Sequence, residues 1–153
     1  MLKALKKLFD DSPVEDPQPM EAQAGLAAAT LLQELTRVDQ TASPEEQLAA
    51  TRALTELFGM DQAEATDLLA QGAVRARQLT SYFKPVSCLK RAMALERRVR
   101  FVEHLWRVAY ADSRLDPYED HFVRKIAHLL YVPNTQCMVA RSHARSGIRL
   151  AAQ

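Results

Sequence analysis

Apolar residues recur at helical spacing along most of this chain. Phe101, Val102, Leu105, Trp106, Val108 and Ala109 form one wide stripe, with Arg100, Glu103, His104 and Arg107 on the other side. Glu103 and Arg107 stand four apart, in the order that favours a helical ion pair. A second stripe, Phe122, Val123, Ile126, Leu129 and Leu130, follows the turn Asp112-Ser113-Arg114-Leu115. Asp116, Pro117 and Glu119 mark its start: an acid at the cap, proline at the first helical position, and an acid three residues after the cap. Helices joined by so short a link pack antiparallel.

The same pattern stands earlier. Leu32, Leu35 and Val38 lead to Asp39, and Ser43-Pro44-Glu45-Glu46 opens a stripe of Leu48, Leu54, Leu57 and Phe58. Laying Asp39 on Asp112, an offset of 73, puts Pro44 on Pro117, Glu46 on Glu119, Leu57 on Leu130, Phe58 on Tyr131 and Asp61 on Asn134. This reads as a duplicated helix-turn-helix-helix unit. The expected fold is all-α: a single-domain bundle of about seven helices spanning residues 20–146. Two pseudo-symmetric repeats, about 30–79 and 103–146, build it.

Local signals fill in the rest. Residues 21–39 are alanine- and leucine-rich. Gly59 ends the second helix as a C-cap, and Asp61 with Glu64 starts the third. That helix carries Ala65, Leu68, Leu69, Ala73, Ala76 and Leu79. Gly72 inside it costs about 1 kcal/mol against alanine, which marks a close helix crossing. Residues 80–87 break the helix at Pro85, with Tyr82 and Phe83 plugging the core. A short turn at 88–93 then precedes a long helix from Ala94. The last helix covers 135–145, and residues 147–153 fray. At the other end, residues 1–9 form a small amphipathic helix, Leu2, Leu5, Leu8 and Phe9 opposite Lys3, Lys6 and Lys7. It either contacts a membrane surface peripherally or docks on its own domain. Residues 10–19, with three prolines and four acids, are a linker.

Composition narrows the function. A chain of 153 residues, 48% hydrophobic and 25% charged, suits one domain with a real core. A formal net charge of +1 gives no bulk attraction to nucleic acid or anionic lipid. Cys88 and Cys137 have no paired spacing and read as buried thiols in a reducing compartment. With no apolar run of spanning length and no signal peptide, the expected location is cytoplasmic, with contact to the inner membrane only through residues 1–9. No phosphate loop, nucleophile elbow or Ser-His-Asp order stands out. His121 and His128, seven apart, lack the partners a zinc site needs.

The acids carry the remaining chemistry. Asp112 falls at a helix end, where the macrodipole disfavours it by about 0.3–1 kcal/mol. Either it accepts amide hydrogens in the turn, or it shares a cation with Asp116, Glu119 or Asp120. An EF-hand is a poor match: Arg114 holds the third position, Pro117 the place of the central glycine and Val123 the twelfth.

The phrase LWRVAYADSRLDPYEDHFVRKIAHLLYVP resembles the second half of the TerB-like, tellurite-resistance family, and LLQELTRVDQTASPEEQ its opening. The resemblance implies an all-α domain of bacterial stress systems and a divalent cation, Ca²⁺, Mg²⁺ or Mn²⁺, on the acids. By position those acids are Asp39, Glu46, Asp112 and Glu119, with Asp116 beside them. The chain departs from the family at Ser113, where glycine is common, and at Gln40 and Thr41, which replace a more polar first loop. The expected function is a non-enzymatic module that binds a protein partner. The alternatives are a metal-dependent enzyme using the same acids, and a helical nucleic-acid binder using Lys90, Arg91, Arg97, Arg98 and Arg100.

Overall fold

The computed structural model describes residues 19–37 and 42–151. Residues 1–9, most of the linker at 10–19 and Asp39 lie outside them. Among the described residues seven helices follow in order: α1 (Met20–Arg37), α2 (Pro44–Phe58), α3 (Gln62–Gln78), α4 (Phe83–Ala92), α5 (Leu95–Ala109), α6 (Pro117–Leu129) and α7 (Asn134–Ala151). No strand occurs among the described residues, and no helix there is long and apolar enough to cross a membrane.

α1 is the hub. Its run of alanine, leucine and threonine is buried almost all round, from Ala24 to Thr36. A helix apolar on every side belongs inside the protein. It touches α2, α3, α4, α5 and α6, most extensively α3. Small side chains allow that approach. A Cβ on Gly72 of α3 would lie 2.6 Å from the Ala29 carbonyl carbon and 2.7 Å from its oxygen. Backbone cannot give way there, so Gly72→Ala should destabilise. Overpacking costs about 1–3 kcal/mol, against about 1 kcal/mol of helix propensity that alanine adds. Thermal unfolding tests this; a higher melting temperature would mean α1 and α3 separate freely.

The second half packs alike. α5 rests chiefly on α7 as α1 does on α3, and α2 bridges the halves by packing on α5. Trp106, Leu105, Phe122, Ile126 and Leu130 share one core with Leu35, Leu54 and Leu57. The Pro44 and Pro117 helix starts are 73 apart, as the sequence pattern requires. Beyond them the spacing drops to 72: the left-handed residues are Gly59 and Tyr131, and the next helices begin at Gln62 and Asn134. The second unit is one residue shorter at that turn, so Asp61 does not fall on Asn134 as a cap.

Starts and stops follow local chemistry. Ser43 Oγ accepts from the Glu46 amide at 3.1 Å, and Asp61 from the Glu64 amide at 2.8 Å. Asp116 takes the Tyr118 amide at 2.7 Å rather than that of Glu119. Gly59, at φ 68°, closes α2. α6 ends in a Schellman motif: the Tyr131 amide donates to His128 and that of Val132 to Ala127, at 3.0 and 2.9 Å. Tyr131 and Ser113 hold positive φ without being glycine, a cost of about 1 kcal/mol or more each.

Several expectations are corrected. Residues 83–92 are a helix, not a break and a turn, because Pro85 falls in its first turn, where no amide is needed. Phe83 does not plug the core: it is 74% exposed, and only Tyr82 turns inward, edge-on to Phe122 at 5.4 Å. α7 runs past Gly147 to Ala151. Leu48, expected on the apolar face of α2, is exposed.

Candidate functional site: the acidic turns and the cleft beside them

The turn between α5 and α6 is built by its own acids. Asp112 accepts the Arg114 amide at 3.1 Å, closing an Asx turn around Ser113. That is the structural answer to an acid at a helix end: its carboxylate serves an amide of the turn. Asp116 caps α6. Glu119, one turn further on, is buried at 1% exposure. At the start of α2, Ser43 Oγ donates to Glu46 Oε1 at 3.2 Å while holding the Glu46 amide. Glu46 is also buried at 1%. The two units therefore bury one glutamate each, at matching places in matching helices.

These acids do not gather into a cation site among the described residues. No group of three or more His, Cys, Asp or Glu side chains there is placed to hold a metal. Asp112 and Asp116 each spend an oxygen on a backbone amide, and Asp39 lies outside the described residues. The described donors do not fit a hard cation, which takes six or more oxygens. Two of the residues proposed for nucleic acid, Arg97 and Arg98, are engaged within the fold. Arg97 binds Glu21 and the Leu57 carbonyl, and lies 4.7 Å from the centre of the Phe58 ring. Arg98 reaches the carbonyls of Leu130 and Met93. Both hold helix ends together rather than facing outward.

The sequence pattern missed two features. His104 was placed on the polar side of its helix, yet it is buried between α5 and α2 with Nε2 3.3 Å from Glu56 Oε2. Burial, reinforced by Arg107, Arg100 and Arg52, pushes its pKa down from 6.5 to about 4. Glu56 is half exposed and does not reverse this. The signal was present: His104 is three residues after Phe101 and four before Val108, on the buried stripe.

The second feature is a cleft of about 540 Å³ where the α3–α4 link meets α6. Glu34, Tyr82, Phe83, Lys90 and Lys125 line it. Lys125 Nζ lies 5.3 Å from the Tyr82 ring centre, and Lys90 Nζ 4.3 Å from that of Tyr131. Burial raises the Tyr82 pKa, and Glu34 adds to this by charge and hydrogen bond. Phe83, in the cleft lining, and Tyr131, under Lys90, are 74% and 73% exposed. Sequence could not find this patch, because exposed aromatics read as core.

Cys88 and Cys137 are free thiols, their pKa values raised by burial. That makes them poor nucleophiles.

The family model described as tellurite resistance protein TerB matches residues 25–142, from within α1 to within α7. No curated protein and no solved structure matches the chain.

Proposed function

Because the chain belongs to the tellurite resistance protein TerB family, we propose that it is a non-enzymatic interaction module in bacterial stress physiology of the tellurite-resistance type. The observation that carries the reading is a cleft edge with two exposed aromatics, Phe83 lining the cleft together with Lys90, and Tyr131 with its ring under the Lys90 ammonium. Exposed aromatic residues are what protein interfaces use as anchors. The acids support it from the other side. Asp112 and Asp116 serve backbone amides, a role in holding the helices that present the patch.

The family resemblance also carries a cation reading, on Asp39, Glu46, Asp112, Asp116 and Glu119. It stands as the competing form of the proposal, since a site of that kind would need Asp39 to complete it. A metal-dependent enzyme would need the same acids.

Complementation under tellurite stress separates these readings. In a bacterial strain lacking this chain, the wild type and Asp112→Asn are expected to restore growth equally. Phe83→Ala combined with Tyr131→Ala should fail to restore it while remaining folded. Calorimetric titration of the wild type with Ca²⁺, Mg²⁺ or Mn²⁺ should give no saturable heat. Loss of growth with Asp112→Asn, together with a saturable heat that the same substitution removes, would replace the module by a cation-dependent activity.

A further inference from the structure

The described chain begins on the wall of a groove. Pro19, Ala22 and Gly25 form one side, with Phe58, Met60 and Leu68 opposite, enclosing about 520 Å³. Gly25 opens its floor: a Cβ there would meet Leu68 Cδ2 at 3.3 Å and Met60 Cε at 3.8 Å. The rim is acidic, with Glu21, Glu64 and Asp67 and no basic residue among the lining. Glu21 is engaged by Arg97, whose hydrogen bond holds its carboxyl below the usual range. Glu64 and Asp67 are exposed and have no ion pair among the described residues.

We infer that residues 1–9 of the same chain occupy this groove, their apolar residues on its floor and their lysines at Glu64 and Asp67. The segment MLKALKKLF has the complementary pattern: Leu2, Leu5, Leu8 and Phe9 at one helical face, Lys3, Lys6 and Lys7 at the other. Residues 10–18 join it to Pro19, which itself lines the groove. Nine extended residues reach about 30 Å, so length does not limit docking. Tethering gives an effective concentration in the millimolar range, enough to populate a contact too weak to form between separate molecules. The linker is excluded as the occupant by its own charge. Asp10, Asp11, Glu15 and Asp16 repel the rim, while the lysines before them are drawn to it. Docked, the four apolar residues are withheld from any membrane surface, which needs the same face.

Carbodiimide coupling of the full chain, which joins amines directly to carboxylates, tests this. Peptide mapping of the monomer should find Lys3, Lys6 or Lys7 joined to Glu64 or Asp67. Leu5→Asp with Leu8→Asp should cut that yield at least tenfold, about 1.4 kcal/mol. Exchanging the charges, with all three lysines changed to glutamate and Glu64→Lys and Asp67→Lys on the rim, should restore coupling between the same two segments. Three results would overturn the proposal. One is coupling confined to dimers. Another is coupling spread over acids elsewhere on the surface. The third is no coupling at the groove in a chain that binds phosphatidylserine vesicles.

Discussion

Trp106→Ala is expected to lower the unfolding free energy by about 3–5 kcal/mol, a large share of the roughly 5–15 kcal/mol a domain possesses. The indole is fully buried, and its Nε1 donates to the Cys137 carbonyl at 3.2 Å. The Arg141 guanidinium lies 5.3 Å from the ring centre and also donates to the Tyr110 hydroxyl at 2.8 Å. One side chain thus joins the last turn of α5 to two turns of α7. Removing it leaves a cavity and strands Arg141 over empty space. Urea unfolding followed by far-ultraviolet circular dichroism measures the loss without needing the tryptophan as a probe. Trp106→Phe keeps most of the apolar area and should lose less than the alanine variant. A change below about 1 kcal/mol for alanine would place the ring at the surface.

The second large effect depends on pH. His104 has a pKa near 6.5 when unfolded and about 4 when folded, since burial and three arginines disfavour its charged form. The unfolded chain therefore binds the proton first as pH falls. Stability from this group is complete above pH 6.5 and is lost progressively down to about 4, by about 3 kcal/mol in all. His104→Gln keeps a polar partner for Glu56 and has nothing to titrate. The quantity to measure is the difference between wild-type and variant urea midpoints from pH 7 to 4, because carboxylates titrate in both. A difference that stays flat across that window would show that the ring is solvated.

Much of the fold was legible because its signals are local. Ser43-Pro44 and Asp116-Pro117 start helices, and Gly59 stops one, through atoms within a few residues. Gly72 announced a crossing that proved to be against Ala29. What stayed hidden depends on position rather than type. Pro85 breaks a helix in its interior but suits its first turn, and sequence does not say where the turn begins. Phe83 and Leu48 look like core residues, and only the packed neighbours decide that they are not. The candidate acids were found by type and spacing. Their work at Asp112 and Asp116 lies in which amide each one faces, and that needs coordinates.

The all-round burial of α1 has a consequence for how the chain could have grown or could be divided. The duplicated unit that the sequence pattern suggests would be two pieces able to stand apart, joined at α4. Yet the first helix of the first unit shares its surface with α4, α5 and α6 as well as with its own partners α2 and α3. Cut at the link before α4, the first half would expose much of an apolar cylinder to water, and the second half would lose the floor beneath α5. Neither fragment would be a domain by itself, though the two together could reassemble around α1. If the units did arise by copying, the ancestor was a paired assembly of identical chains rather than a freestanding half.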